Sequence, residues 1–221
     1  LHIAEGGIMD KDELASELRD MLLQLAHIND CFLLHKKILL YTKTMNREMN
    51  ISPAFFQIIM YSLEHTYMMD ISKLYDKDGQ VKGIRKAINL CEHYSTLFPK
   101  ERTNVFLDGE IERSEVIRID VLKDIKSARN KLTALEPILK SLRGRRNKYY
   151  AHRDKKYVND LSGLAAANPL SWEQLSELIE TAGEILNTFL QDLVGEVVAL
   201  NSANYDDIDN LFKILSTYLN D

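Results

Sequence analysis

The spacing of the apolar residues constrains this chain more than any other feature of its sequence. Apolar side chains recur every three or four positions almost throughout, which is the period of one face of an α-helix. No stretch alternates polar and apolar residues over the length that a strand needs, and the 221 residues include only 4 Pro and 9 Gly. The pattern therefore predicts an all-α fold.

Local signals place the ends of several helices. Ser52 is a good N-cap and Pro53 suits the first helical position, where a missing N–H costs nothing. Ser171 and Gln174 have the spacing of a capping box. Pro137 must kink or split the helix that contains it, because it lacks an N–H and crowds the preceding turn. The predicted helices are 11–44 with room for a break near Asn29, 53–75, 82–94, 114–151 interrupted at Pro137, 171–200 and 206–219. Loops are expected around 76–79, 99–109 and 157–170.

These helices predict a single domain, residues 9–221, built as an elongated bundle of five to seven helices with short connections. Residues 1–8 are expected to be a cloning remnant or a disordered N-terminus. The apolar stripe along 172–200 is wider than one neighbouring helix can cover. It either serves a two-fold dimer interface or is buried in the core, and the sequence leaves both open.

Composition argues against several classes of protein. No run of eighteen apolar residues could span a membrane, and no basic region followed by an apolar stretch signals secretion. Cys31 and Cys91 are sixty positions apart and neither belongs to a CxxC or CxxH pattern, which argues against a disulfide framework and against a zinc site. We therefore expect a cytoplasmic protein without a bound metal or cofactor.

A strongly basic segment stands out from an acidic chain. Positions 140–156 hold eight Lys or Arg and one acid, a net charge of +7, whereas the whole chain carries −5. Residues 157–212 include ten acidic residues and no Lys or Arg. The basic segment is either a solvated helix end, where cations complement the helix dipole, or an anion site in a protein that otherwise repels nucleic acid.

The basic segment contains a motif. Arg146 and Asn147 are followed by four residues and then by His152, so that an arginine and a polar residue precede the histidine at fixed spacing. This arrangement resembles the signature of the HEPN ribonucleases. With Asp154 two residues after the histidine, the run looks further like the AbiU-type abortive-infection branch of that superfamily. The run 72–76 (Ser-Lys-Leu-Tyr-Asp) also looks like that branch.

The resemblance implies a homodimeric, metal-independent endoribonuclease of a prokaryotic defence or toxin–antitoxin system, with RNA as its substrate and an antitoxin protein as a partner. It also implies products that carry a 2′,3′-cyclic phosphate and a 5′-hydroxyl. The residue types suit this chemistry, since histidine moves protons near neutral pH and arginine can hold a phosphate through two contacts. His152 is the predicted acid–base group and Arg146 the predicted phosphate clamp. Asn147 would orient the phosphate or His152.

Other residues of the segment are predicted to support the site or to contact RNA. Arg145 is a candidate substitute for the clamp, and Asp154 either hydrogen-bonds His152 or caps the loop. HEPN toxins that are silenced by adenylylation carry a tyrosine at the position that Asp154 occupies, which puts that control in doubt here. The predicted RNA contacts are Arg143, Lys148, Tyr150, Arg153, Lys155 and Lys156.

An ideal helix would not bring the two predicted catalytic residues together. Six residues leave Arg146 and His152 about 120° apart and about 9 Å along the axis, whereas Arg145 lies within about 20° of His152. Either the helix ends near Ala151 and His152 swings back, or the site is built from both chains of a dimer, as the resemblance favours.

Two rival functions fit the same sequence. A HEPN-like bundle without catalysis would bind RNA or a partner protein through the basic segment, and a structural bundle would use helix 172–200 for assembly. The run 76–79 begins like a calcium loop, but its glycine falls at the fourth position and no glutamate follows at the twelfth. His35 and His65 lie on apolar stripes and are interpreted as core or boundary residues.

Overall fold

The computed structural model describes residues 9–78, 82–108, 111–151, 161–200 and 206–220. Their helices are α1 (Lys11–Thr44), α2 (Asn46–Met49), α3 (Pro53–Leu74), α4 (Ile84–His93), α5 (Val121–Ala134), α6 (Glu136–Arg145), α7 (Leu161–Ala167), α8 (Trp172–Val194) and α9 (Asp207–Asn220), with a 3₁₀ turn at Ser95–Leu97 and a π-helical segment at Arg146–Ala151. Seven of these nine described α-helices are ten or more residues long. The predicted all-α fold is confirmed.

Local chemistry sets several helix ends as the sequence predicts. α3 begins at Pro53, and Pro137 lies in the first turn of α6, so α5 and α6 are separate helices. Ser171 and Gln174 form the capping box: the Gln174 backbone N–H donates to Ser171 Oγ at 3.2 Å, and the Ser171 N–H donates to Gln174 Oε1 at 2.9 Å. α1 runs without a break near Asn29.

A β-hairpin replaces the loop and helix start that were expected between 99 and 120. Strands β1 (Glu101–Asp108) and β2 (Ile111–Arg118) pair antiparallel, from Glu101 opposite Arg118 to Asp108 opposite Ile111. The side chains of Thr103, Glu115 and Val116 are exposed, so these positions give no buried face from which polar–apolar alternation could be recognised. The dipeptide Asp108-Gly109 is the hairpin signal that the sequence does carry.

Two predictions near α8 are also corrected. The predicted polar loop 157–170 contains α7 in its described part, because the alanines at 165–167 favour helix enough to outweigh Gly163. α8 ends at Val194 rather than at 200, since Gly195 adopts a left-handed φ of 82° that terminates the helix. Asn187 then exchanges two hydrogen bonds, of 3.0 and 2.8 Å, with the backbone of Val198.

The chain divides into two compact units, which are described separately. The first takes in the described residues of 1–23, 75–136 and 180–198. In it α4 packs against α5, and the Arg129 guanidinium grips the Glu92 carboxylate through two contacts of 2.9 and 2.6 Å. Arg19 and Glu196 form a similar pair with both contacts at 2.8 Å. Both pairs are solvent-exposed, so they fix geometry more than they add stability.

The second unit takes in the described residues of 24–74, 137–179 and 199–221. A buried apolar cluster joins its helices α1, α2, α3 and α9, and the cluster consists of Ile38, Met49, Phe56 and Phe212. The start of α9 is tied to α1 by Asp209, which accepts from Lys37 Nζ at 2.5 Å and from the Tyr41 hydroxyl. The other end of α9 is held by Arg47, whose Nη2 donates to the Leu219 carbonyl at 2.6 Å. The expectation of one domain stays a prediction.

Several minor predictions have clear outcomes. The apolar stripe of α8 is buried within this chain, which favours the core alternative for that stripe. His35 is buried, as interpreted, and Cys31 and Cys91 are buried free thiols. Across the described ranges no helix is both long and apolar enough to cross a lipid bilayer.

Asp192 in the first unit provides a test of this packing. Burial, and next the charge of Asp124, raise the pKa of Asp192 from 3.8 to about 6. A raised carboxyl pKa means that folding loses stability as the pH rises from the unfolded value through the folded one. Asp192→Asn should therefore stabilise the protein by about 1 kcal/mol at pH 7.5, a value that allows for solvent screening of this partly exposed carboxylate. The gain in stability should be smaller at pH 4.5.

Urea unfolding at the two pH values measures this effect. Glu177→Gln, which removes an exposed carboxylate from the same helix, is the matched control, and its unfolding free energy is measured at the same two pH values. A gain for Asp192→Asn that does not depend on pH would contradict the assignment.

Candidate functional site

The motif predicted from the sequence lies where α6 gives way to the π-helical segment, in the second unit. Arg143, Gly144 and Arg145 form the last turn of α6, and Arg146 begins the π-helical segment. His152, Arg153, Asp154, Lys155 and Lys156 lie outside the described residues, as does the side chain of Tyr150. The geometry of the site therefore concerns its arginine half.

The π-helical segment differs from the ideal α-helix expected for these residues. Hydrogen bonds from residue i to i+5 widen each turn over Arg146–Ala151. The angles that an ideal α-helix gives for Arg145 and Arg146 relative to position 152 consequently do not apply here. π-helical turns inside α-helices are frequent at functional sites, because they change the direction of side chains while they interrupt the regular helix geometry.

Arg146 and Asn147 contact each other directly. Arg146 Nε donates to Asn147 Oδ1 at 2.9 Å, and Asn147 is exposed while Arg146 is partly buried. The amide oxygen thereby restricts the plane of the guanidinium, which is the group that a phosphate would meet in two contacts. The sequence predicted that Asn147 orients the phosphate or the histidine, and the contact seen is with Arg146.

Arg145 has a different position from Arg146. Its Nε donates to the backbone carbonyl of Asn168 at 2.8 Å in a partly buried setting. Asn168 is itself buried, and its Nδ2 donates to the Leu164 carbonyl at 3.2 Å at the end of α7. Arg145 thus fastens the end of α6 to the chain that follows α7, which is a structural use of its charge.

Gly144 allows this fastening. A Cβ atom at position 144 would lie 1.8 Å from Asn168 Oδ1 and 2.7 Å from its Cγ, far inside any real contact distance. Only a residue without a side chain lets Asn168 lie this close to the helix. The glycine in the middle of the basic run is therefore required by packing.

The other described cations of the segment are less exposed than a row of RNA contacts would suggest. Lys148 is partly buried, and the Nη1 atom of Arg143 is buried. The prediction that Arg143, Lys148 and their neighbours contact RNA stays a prediction. Among the described residues no cluster of three His, Cys, Asp or Glu side chains is arranged to hold a metal ion.

A buried polar pair lies on the helices beside the motif. α3 packs against the π-helical segment, and Tyr67 on α3 contacts His35 on α1, with the Tyr67 hydroxyl 3.1 Å from His35 Nδ1. Burial raises the pKa of Tyr67 well above its usual range, and the charge of Arg145 opposes that rise. Burial likewise lowers the pKa of His35, against the opposing charge of Glu64. Both groups are therefore neutral near pH 7, and they bring no net charge beside the motif.

Comparison with protein families decides the relationship that the motif suggests. The profile of the AbiU2 HEPN family matches residues 11–214, which is most of the chain and includes every predicted site residue. The chain belongs to the AbiU2 family of HEPN proteins. Comparisons with curated proteins and with solved structures find no match. For this AbiU2 protein the HEPN resemblance seen in about a dozen residues is thus confirmed along the chain.

Sequence reasoning missed the residue that binds Arg145. Asn168 is 23 positions from Arg145 and belongs to no pattern of charge or spacing around the motif. Gly144 did carry a signal, since a glycine inside a helical run costs about 1 kcal/mol relative to alanine and often marks a close approach.

Substitution of Gly144 tests the close packing against Asn168. Gly144→Ala should lower the free energy of unfolding by about 1 to 2 kcal/mol, because overpacking outweighs the better helix propensity of alanine. In an Asn168→Ala background the same change should instead raise stability, because the obstructing side chain is gone. Urea unfolding of the four proteins measures both steps. An equal loss in both backgrounds would rule out the steric explanation.

Proposed function

We propose that this AbiU2 protein is a metal-independent endoribonuclease of a prokaryotic defence or toxin–antitoxin system. Family membership supports a HEPN-type role connected with abortive infection. The single observation that carries the finer proposal is the Arg146–Asn147 contact at the start of a π-helical segment, because it orients a guanidinium at the motif position where phosphate chemistry requires one.

The proposed reaction needs a proton acceptor, a proton donor and a stabiliser of charge. The 2′-hydroxyl loses its proton to a base and its oxygen attacks the adjacent phosphorus, while the bond from phosphorus to the 5′-oxygen breaks and that oxygen takes up a proton. The products are a 2′,3′-cyclic phosphate and a 5′-hydroxyl. His152 moves the protons, and Arg146 stabilises the charge that develops on the phosphoryl oxygens.

The two neighbouring arginines have separate roles in this proposal. Arg146 is the clamp because its guanidinium is hydrogen-bonded to the exposed side chain of Asn147, whereas the guanidinium of Arg145 is hydrogen-bonded to the Asn168 carbonyl. Asp154 supports His152, and the cations Lys148, Arg153, Lys155 and Lys156 are the proposed contacts to the rest of the RNA. Their charge attracts the backbone over a range set by the salt concentration.

Cleavage of RNA in excess EDTA tests the reaction. Wild-type protein should cut and leave cyclic phosphates, whereas His152→Ala and Arg146→Ala should each lose at least 100-fold in rate without a change in melting temperature. Arg146→Lys should recover only part of the rate, because lysine cannot make two parallel contacts. The measurement is the end chemistry of the fragments together with single-turnover rates.

Arg145 provides the matched control for Arg146. Arg145→Ala should lower the melting temperature, since it removes the hydrogen bond to Asn168, and should reduce cleavage only as far as it reduces folding. If Arg145→Ala abolishes cleavage in fully folded protein while Arg146→Ala is harmless, the roles are reversed. RNA that binds but is never cut by wild type would favour a binding module instead.

The dimer is also proposed, on a surface other than the one that the sequence suggested. Seven large apolar side chains of α3, α9 and the turn before α3 are between 39% and 73% exposed, and these are Ile51, Phe55, Ile58, Tyr61, Leu211, Ile214 and Tyr218. The two helices meet where Phe56 contacts Phe212 at 5.4 Å between ring centroids. The seven side chains expose on the order of 700 Å², close to the share that each partner buries in a stable complex.

Charge introduced on this surface tests the dimer. We propose in addition that the site is built from both chains, the alternative that the resemblance favours. Ile58→Glu/Ile214→Glu should then convert a dimer into a folded monomer and reduce cleavage. Light scattering during gel filtration measures the mass. Leu122→Glu, at an equally exposed leucine in the first unit, should leave the mass unchanged. A wild-type monomer that cleaves RNA at full rate would contradict the proposal.

A further inference from the structure

A groove in the second unit combines an aromatic ring with exposed lysines. It has a volume of about 510 Å³ and runs along α1 to the first residue of α8. We call it the Trp172 groove, and its walls include Leu33, Leu40, Lys36, Lys37, Lys43 and Trp172. The motif chemistry described above does not use any of these residues.

The aromatic wall of the groove is fixed in place. The ring of Trp172 packs behind the groove on Phe32 and His35, with centroid distances of 5.4 and 5.5 Å, and remains partly exposed. The capping box of Ser171 and Gln174 sets the helix start that holds Trp172. A preorganised ring loses little entropy when a second flat group stacks on it.

The α1 wall of the groove presents cations to solvent. Lys36 and Lys43 are both exposed and are two helical turns apart, about 10 Å along the axis, with the exposed Leu40 between them. Lys37 instead forms ion pairs with Asp206 and Asp209. The pKa of Glu173 at the α8 end is lowered, chiefly by hydrogen bonds from its own backbone and from Ser171, and Lys36 adds to the effect. Lys36 thus lies close enough to the start of α8 to act with Trp172 on one ligand.

The groove lies close to the motif, because Asn168 and Tyr67 connect the two. Trp172 is four residues after Asn168, whose carbonyl binds Arg145, so a fully extended chain would place the two no more than about 14 Å apart. Tyr67, whose pKa responds to the charge of Arg145, lies 6.5 Å from the Trp172 ring. The distance from the motif to the groove is therefore that of one or a few nucleotides.

We propose that the Trp172 groove binds an unpaired stretch of RNA next to the cleavage site, with a base stacked on Trp172 and the backbone phosphates on Lys36 and Lys43. The identity of the ligand as RNA rests on the proposed function. Stacking on an aromatic side chain with cations along the backbone is the general mode by which proteins hold single strands without reading their sequence. The groove would thus favour unpaired RNA over duplex, in which the bases are already stacked.

The fluorescence of Trp172 reports directly on the groove, because the chain has a single tryptophan. The probe is a 2′-O-methyl oligouridine, whose blocked 2′-oxygen cannot attack. Titration should quench the emission in a saturable manner, and His152→Ala protein should show the same quenching. Lys36→Ala/Lys43→Ala should weaken binding at least tenfold and reduce the slope of log K against log salt by about 1.4, the value for two phosphate contacts on a single strand.

Two further variants make the result decisive. Lys123→Ala/Lys126→Ala removes two exposed lysines from α5 and should leave the affinity and the quenching unchanged. Trp172→Leu should also weaken binding, which is measured in this variant with a labelled oligonucleotide. The melting temperature of the variant reports whether it folds. Oligonucleotide binding without quenching and without sensitivity to Lys36 and Lys43 would overturn the groove proposal, even if wild-type protein cleaves RNA.

Other outcomes also separate the two proposals. If the oligonucleotide quenches Trp172 and this quenching depends on Lys36 and Lys43, but the protein cleaves no RNA, the nuclease proposal is overturned and the groove proposal is retained. Emission that changes with protein concentration alone, and not with RNA, would assign the groove to a second copy of the chain and overturn the RNA proposal.

Discussion

Asn168 lies so close to the end of α6 that position 144 has no room for a side chain, and most of the site depends on this approach. The carbonyl of Asn168 holds Arg145, its amide group holds the end of α7, and four residues later the chain begins α8 at Trp172. One buried amide thereby fixes the helix that carries the motif and the segment that leads to the groove. Loosening it would move the clamp and the aromatic ring together.

The basic segment is less uniform than its charge suggests. In sequence it is a run of eight cations that could serve one purpose, but the described members have different neighbours. Arg145 binds a backbone carbonyl, Arg146 is restrained by Asn147, and Arg143 has a buried nitrogen. Net charge consequently overstates the number of groups that can meet a phosphate, and the selectivity of the site depends on which cations the packing leaves at the surface.

The sequence predicted the features that local chemistry determines. The capping box at Ser171, the helix start at Pro53 and the interruption at Pro137 follow from hydrogen-bond needs within a few residues. The hairpin at 101–118 was missed because Thr103, Glu115 and Val116 are exposed and show no polar–apolar alternation, and the π-helical segment was missed because no residue pattern marks a wider turn. The contact between Arg145 and Asn168 spans 23 positions and depends on tertiary packing, which no local pattern encodes.

The attachment of α9 to α1 also has a consequence for biosynthesis. Lys37 and Asp206 are 169 positions apart, and the apolar cluster of the second unit is incomplete without Phe212. The first unit likewise needs residues 180–198. While the ribosome is still making these late segments, the early helices must keep their apolar faces exposed to water or to a chaperone. Neither unit can therefore acquire its complete core in the order of synthesis.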